Sequence, residues 1–467
     1  MTAVITLLAD PAEQIAAAFD GTELETVAFG YCGRLEQRDR RGLIVRRAEL
    51  VPDAGYRERS AGHFSLQPAY VAEAVLRAAE TGESLVIVHS HPGSAFPPDF
   101  SHIDERMHRT LVPSMLRQLH GPVGSLVRSP AGWNGRIWMH ADAEERVALI
   151  RIAGRHLDLQ APGARDASSP DPQFDRQIRA FGEPLQRRLG RMRVGIVGYG
   201  GTGSLAGQWL AHLGVQDFLI VEPDLLEDSN RSRLVGARAI DAVGTPKVAI
   251  ARRTIAEIRP SSRVETLQAD VTGCAPLRAL AGCDVVLCCT DSHASRAAIN
   301  PLPYQYGVPV LDVGTLLRSD QGGVRDAHAE LRLVTIGRGC LRCQGAIDPE
   351  RVRVEMLSDD EREEQIRFGY TPGIRMPAPS VLPLNAFAVS LMTLRLFDLL
   401  EPWVDWDDRV NVELRGLQVT ERPSASRPGC DICDEPERLG RGDDYPLACR
   451  PDPDAKAKGG IDAKDRS

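Results

Sequence analysis

Apolar positions along the first 155 residues recur with a period of two in some stretches and of three to four in others. The runs at 26–32, 42–50, 84–88, 124–128 and 135–139 predict strands, and residues 70–80 and the segment after Ser101 predict helices. An α+β domain is expected over residues 1–158. Residues 161–173 (APGARDASSPDPQ) have no apolar period and are rich in Ala, Pro, Ser and Asp, which puts a linker across 159–173. From Asp175 the pattern changes to a helix, a strand at 193–197, a glycine loop, a helix and a strand at 218–222, which together read as a βαβ unit. The run at 284–289, apolar after its opening Asp284, and the run at 308–311 read as parallel strands covered on both faces. The expected class is α/β: an α+β amino-terminal domain, then a doubly wound, mostly parallel Rossmann-like domain over 174–436. Residues 437–467 are polar and read as a disordered tail.

A length of 467 residues suits two cores better than one. The net charge of −8, without a basic cluster interleaved with aromatics, argues against a nucleic-acid partner. No stretch reaches about 18 consecutive apolar residues, and the first 20 residues do not read as a secretory leader. No membrane association and a cytoplasmic location are expected.

The strand ending at Val88 runs into His89-Ser90-His91-Pro92, and histidines at i and i+2 of an extended segment project to one side. Ser101-His102-Ile103-Asp104 opens the next helix, from which Asp104 could supply a third ligand and leave zinc one open position. Hydrolysis would also need a base and a donor to the oxyanion. Glu25 is the candidate base, with Glu23 two residues away on the same strand face, and the Ser101 hydroxyl is the candidate donor. Ser101 and Asp104 could equally form a helix capping box. H-x-H-P, S-x-x-D and an upstream glutamate together resemble the JAB/MPN (JAMM) zinc isopeptidases over about 150 residues.

The loop Gly198-Tyr199-Gly200-Gly201-Thr202-Gly203-Ser204 lies at a strand-to-helix turn, where phosphates can approach the helix amino terminus. Taken alone it suits NAD as well as ATP, with Glu222 holding a ribose hydroxyl. Downstream stand Asp224, Asn230, Arg233, Lys247 and Asp291. In an adenylation, Arg233 and Lys247 could meet phosphate charge, Asn230 could hydrogen-bond the phosphates and Asp291 could hold Mg2+. The ordered series G-x-G-G-x-G-S, E-x-D, S-N-x-x-R, G-x-x-K and T-D…R resembles the ThiF/MoeB and ubiquitin-activating-enzyme superfamily over about 174–433. Glu222 stands for the family's aspartate, and Arg231 for its leucine. The resemblance further implies a homodimer and a phosphate-contacting role for Arg176, often across the dimer interface.

Cys340-Leu-Arg-Cys343 and Cys430-Asp-Ile-Cys433 offer four thiolates for a closed, structural zinc site. Cys32, Cys274, Cys283, Cys288, Cys289 and Cys449 remain, and none is nominated as a thioester nucleophile. The resemblances imply ATP-dependent adenylation of the carboxyl terminus of a ubiquitin-like or sulfur-carrier protein, coupled to zinc-dependent peptide or isopeptide hydrolysis at that terminus. The alternatives are activation of a peptide or small-molecule carboxylate, an NAD(P)-binding oxidoreductase, and a non-catalytic scaffold.

Overall fold

The computed structural model describes residues 1–94, 96–162, 171–321, 323–368 and 379–451. In the amino-terminal region the order is β1 Thr2–Leu8, α1 Ala9–Asp20, β2 Val27–Glu36, β3 Arg40–Leu50, β4 Tyr56–Arg59, β5 Phe64–Leu66 and α2 Pro68–Thr81. There follow β6 Ser84–Ser90, α3 His102–Leu119, β7 Val123–Ser129, β8 Gly132–Trp138, β9 Glu144–Arg146, β10 Leu149–Ala153 and β11 Leu157–Gln160. All but β4 and β5 form one nine-stranded sheet, ordered β11-β10-β1-β3-β2-β6-β7-β8-β9.

Alternation sorts this sheet's side chains onto two faces. Ala3, Ile5, Leu7, Leu43, Val45, Val86 and Val88 share one core with Ile15 and Phe19 of α1. On the opposite face Val27, Phe29, Leu85 and Ile87 pack under α2 and α3. The rest of that second face, including Val4, Leu8, Ile44 and Leu149, packs into the cores of the following domain. The first 20 residues, where no strand or helix was anticipated, thus supply an interior strand and a core helix, and β11 continues the sheet two residues past the expected boundary at 158.

The second region begins with α4 Asp175–Phe181, α5 Glu183–Arg191, β12 Arg193–Val197, α6 Gly201–His212, β13 Asp217–Val221, α7 Lys247–Ile258 and β14 Arg263–Leu267. Then come α8 Cys274–Ala281, β15 Val285–Cys288, α9 His293–Ile299, α10 Leu302–Tyr306 and the long hairpin β16 Val310–Asp320 and β17 Gly323–Val334. The remaining elements are α11 Pro349–Glu355, α12 Asp359–Arg367, α13 Leu382–Leu400, β18 Arg409–Glu413 and β19 Gln418–Arg422. The eight-stranded sheet runs β14-β13-β12-β15-β16-β17-β18-β19. Its first five strands are parallel and the last three join antiparallel. Val194, Ile196, Phe218, Ile220, Val285 and Leu287 face α6, α7 and α13, while Val197, Leu219, Val221, Val286 and Cys288 face α8 and α10. This is the expected doubly wound sheet. The direction of winding reverses between β12 and β15, and open sheets bind ligands at such a point.

Among the described residues, α13 is the one helix long and apolar enough to cross a membrane. Leu384, Val389, Met392 and Leu396 lie instead in the core against the sheet. The amino ends of β12 and β15 meet the first domain through Arg193 and Asp284: Arg40 Nη1 and Nη2 donate to Asp284 at 2.6 and 3.0 Å, and Arg193 Nη1 donates to Asp39 at 3.1 Å.

The expectation of a disordered tail from 437 is corrected over 437–451. These residues lie between the domains, where Arg34 Nε donates to Asp444 at 2.6 Å and Tyr306 Oη donates to Asp443 at 2.8 Å. Polar composition misled because this segment is held by hydrogen bonds and ion pairs rather than by an apolar face of its own. Residues 452–467 fall outside the described residues. Cys274 and Cys449, left unassigned from sequence, form a disulfide.

Candidate functional site

Two separate clusters hold the candidate residues. In the first, β6 carries His89 to its carboxyl end and His91 just past it, both on the face that packs under α2 and α3. Asp104 is brought to them by the first turn of α3. The Asp104 amide donates to Ser101 Oγ at 3.2 Å, and the Ser101 amide donates to Asp104 Oδ2 at 2.6 Å. The capping box and the ligand geometry therefore coexist, because the cap is what orients the carboxylate.

Asp104 Oδ1 lies 3.2 Å from His89 Nε2 and Oδ2 lies 3.5 Å from His91 Nε2. Nitrogen and oxygen ligands about 2.0–2.1 Å from a tetrahedral zinc ion stand about 3.4 Å apart, so the spacing suits one ion. His89 is fully buried, yet neither of its ring nitrogens makes a hydrogen bond. A buried nitrogen without an aligned hydrogen bond is costly, and a metal ion shared with the adjacent Asp104 carboxylate would relieve that cost.

Glu25 is buried just before β2, and its Oε1 lies 3.8 Å from His91 Nε2. Glu23 is exposed. Burial, opposed by the neighbouring His91 and reinforced by Asp104, raises the Glu25 carboxyl to about 7, near that of a working general base. Arg59 and Tyr56, which sequence reasoning did not single out, fix this strand end. Arg59 Nε donates to the Glu25 carbonyl at 2.9 Å, and the Val27 amide donates to Tyr56 Oη at 2.8 Å. No local spacing announces them, since they reach the site from β4.

The second cluster is built on the turn between β12 and α6. Gly198 has φ +88°, and a Cβ there would stand 2.8 Å from the Cys289 carbonyl oxygen. A Cβ on Gly203 would meet the Gly198 carbonyl oxygen at 1.9 Å. Only glycine closes this turn. Gly200 precedes α6 and Gly201 begins it, with Thr202 Oγ1 donating to the Cys289 carbonyl at 3.3 Å. The loop is thereby held against the end of β15, just before exposed Asp291.

Glu222 is buried at the end of β13, accepting from the Tyr199 amide at 2.5 Å and the Asp224 amide at 2.9 Å. Burial raises its pKa, against the pull of Lys247 and these two amides. Lys247 Nζ lies 2.8 Å from Asp224 Oδ2 and 4.0 Å from Glu222 Oε1. Ser204 Oγ accepts from the Val235 amide at 3.1 Å, tying α6 to the segment that carries the arginines. Arg231 is turned away, held by Asp228 and by the carbonyls of Arg238 and Asp241. Arg233 lies beside Gly201 and donates to the Ser229 carbonyl at 2.7 Å. Asn230 caps its own short turn, accepting from the Glu227 amide at 3.2 Å.

Asn385 of α13 is a further residue unseen from sequence. A Cβ on Gly201 would lie 2.2 Å from its Nδ2, so this amide sits directly over the loop. Arg176 is not brought to the loop of its own chain. It is exposed on α4, where neighbouring Gln177 donates to the carbonyl of Leu213 at the carboxyl end of α6, opposite the glycine turn.

Cys340, Cys343, Cys430 and Cys433 converge with their sulfurs within 4.8 Å of one another. Cys340 and Cys430 are 3.8 Å apart, and Cys343 and Cys433 are 3.5 Å apart. Zinc–sulfur bonds of about 2.3 Å in a tetrahedron put sulfurs about 3.8 Å apart, so the four thiols fit one closed zinc site. Cys288 and Cys289 are buried, and burial raises both thiols, Cys289 to about 12, which is unsuited to a nucleophile.

Residues 174–409 match the ThiF family. The SAMP-activating enzyme E1 of Haloferax volcanii is 36% identical over 30% of this chain and 53% of that protein. Molybdopterin-synthase adenylyltransferase of Salmonella typhimurium is 34% identical over 32% of this chain and 59% of that protein. Sulfur carrier protein ThiS adenylyltransferase of Escherichia coli is 30% identical over 34% of this chain and 60% of that protein. The chain thus spans between 53 and 60% of the length of these three curated relatives. With half of its length matched by the family, on the sheet that carries the glycine turn, Lys247 and Asp291, the chain belongs to the ThiF family.

Proposed function

We propose that the second domain uses ATP and Mg2+ to adenylate the terminal carboxylate of a small ubiquitin-like or sulfur-carrier protein, releasing pyrophosphate. The reading rests on the gathering of the glycine turn, Glu222, Asp224, Arg233, Lys247 and Asp291 at the carboxyl ends of parallel strands in a ThiF-family chain. Glu222 and Asp224 would receive the ribose, and Asp291 would hold Mg2+. Lys247 and Arg233 would meet the charge that grows on the phosphates as the bond between them breaks. Arg176 would act on the site of a second chain in a homodimer. The names of the relatives above, which refer to SAMP, molybdopterin synthase and the sulfur carrier ThiS, favour a protein substrate over a peptide or small molecule.

In the first domain His89, His91 and Asp104 would hold zinc in a JAB/MPN-type peptidase, where the metal supplies Lewis acidity to water and carbonyl. Glu25 would take a proton from the attacking water and pass it to the leaving amine, and the Ser101 hydroxyl would donate to the oxygen that gains charge. The substrate would be a peptide or isopeptide bond at the same carboxyl terminus. The four cysteines would hold a structural zinc.

The test is ATP–pyrophosphate exchange with candidate carrier proteins and free peptides. Exchange dependent on a carrier supports the reading, exchange with peptides alone favours the small-carboxylate alternative, and no exchange with any carboxylate overturns both. Lys247→Ala should abolish exchange and spare cleavage, whereas His89→Ala should do the reverse.

A further inference from the structure

Residues 434–448 connect two cysteine centres. Cys433, in the four-thiol cluster, precedes the segment, and Cys449 closes it by its disulfide to Cys274 at the start of α8. Between these anchors the chain crosses the seam. It touches the second domain at α10, where the Gly440 amide donates to the Tyr304 carbonyl at 2.8 Å and Gln305 Nε2 donates to the Gly442 carbonyl at 2.8 Å. It touches the first domain at β2, where the Asp443 amide donates to the Arg34 carbonyl at 2.7 Å and the Arg34 amide donates to Asp444 at 3.1 Å. Arg441 Nη1 reaches the carbonyl of Thr81 at the end of α2, at 3.0 Å.

We propose that residues 434–448 are a redox-released strap: the Cys274–Cys449 disulfide locks them across the two domains, and reduction by a dithiol removes that covalent lock and leaves only hydrogen bonds, ion pairs and side-chain packing to hold them in place. In the exchange, one thiolate of the reductant attacks a sulfur of the pair and the other cysteine leaves as a thiolate. The second thiol of the reductant then resolves the mixed disulfide, so that two electrons pass to Cys274 and Cys449 and the reductant is left as a disulfide.

Both cysteines are half-buried, within reach of a small reductant. The contacts that remain after reduction are mostly hydrogen bonds and ion pairs, with Gly440 and Gly442 buried and Leu439 and Leu447 at the edge of the core, and without the covalent lock they can open locally. The domains themselves stay joined, because Arg40 and Arg151 bind Asp284 in the buried part of the seam through contacts that do not involve the strap. The switch is thus local: it exposes the surface of β2 and α10 that the strap covers.

The test is tryptic cleavage at Arg438 and Arg441 in the full-length, zinc-loaded protein, followed by mass spectrometry with and without dithiothreitol. Reduction should speed cleavage at least about tenfold, since an ordered segment must open before a protease can cut it. The doubly substituted Cys274→Ser, Cys449→Ser protein should be cleaved at the fast rate in both conditions. Equal rates for the wild-type protein with and without reductant overturn the proposal. So does an increase with reductant in the double variant, which would assign the response to the zinc cluster, and so does finding both thiols free in the air-oxidised protein.

Discussion

Arg40 and Asp284 form a two-point ion pair with both side chains buried, one from the amino end of β3 and the other just before β15. Arg151, fully buried on β10, adds a contact to the same carboxylate at 3.5 Å and donates to the Cys283 carbonyl at 2.8 Å and the Tyr306 carbonyl at 3.1 Å. Removing the carboxylate leaves two buried guanidinium groups without their counter-charge. Asp284→Ala should therefore cost about 3–5 kcal/mol in denaturant unfolding, more than a typical core truncation of similar volume. A loss below about 1 kcal/mol would mean that water reaches the seam.

Acid should loosen the same seam. Hydrogen bonds from Arg263 and Arg193, against a smaller effect of burial, hold Asp39 at about 2, and Asp284 is also held below the usual carboxylate range, its burial outweighed by Arg40 and Arg151. An unfolded aspartate titrates near 3.9, so the native state binds fewer protons than the unfolded chain as pH falls below about 5. The contribution of Asp39 is complete above that value and disappears as pH drops through about 2. Unfolding midpoints measured between pH 2 and 6 should show the decline, and Asp39→Asn should make it shallower.

Gly203→Ala puts a Cβ into the Gly198 carbonyl. The turn must open to admit it, at about 1–3 kcal/mol of stability. ATP affinity measured by calorimetry should fall at least about tenfold while far-ultraviolet circular dichroism is unchanged. Wild-type affinity in this variant would separate the nucleotide site from the turn.

Metal analysis of the purified protein should return two zinc equivalents. His89→Ala and Cys343→Ser should each lose one. Cys343→Ser should also lower the melting temperature, because the cluster joins residues 340–343 to 430–433. Glu25→Gln should keep both equivalents and lose cleavage at least about a hundredfold, as expected for a base that is not a ligand. A lost equivalent in Glu25→Gln would make it a ligand instead.

Much of both sites was legible because local geometry carries it. A strand puts His89 and His91 on one side, a helix start puts Ser101 against Asp104, and a strand-to-helix turn demands glycine at 198 and 203. The two Cys-x-x-Cys pairs announced each other by composition, though their meeting spans the whole of α13. Less legible were choices between near neighbours. Glu25 meets His91 and Arg233 lies beside Gly201, both distant in sequence, whereas Glu23 is exposed and Arg231 is held by its own local segment.

Sequence pattern was enough to mark many of the elements and the chemistry available at each turn, because apolar period and backbone constraint act over a few residues. The tertiary structure alone decided that the first 20 residues supply an interior strand and a core helix, and that Asn385 covers the glycine turn. It also decided that Arg176 lies far from the loop of its own chain, and that residues 437–451 lie ordered between the domains, ended by a disulfide to α8. These outcomes rest on contacts between segments tens to hundreds of residues apart. Their strength comes from burial and charge pairing in the assembled fold, which no local pattern encodes.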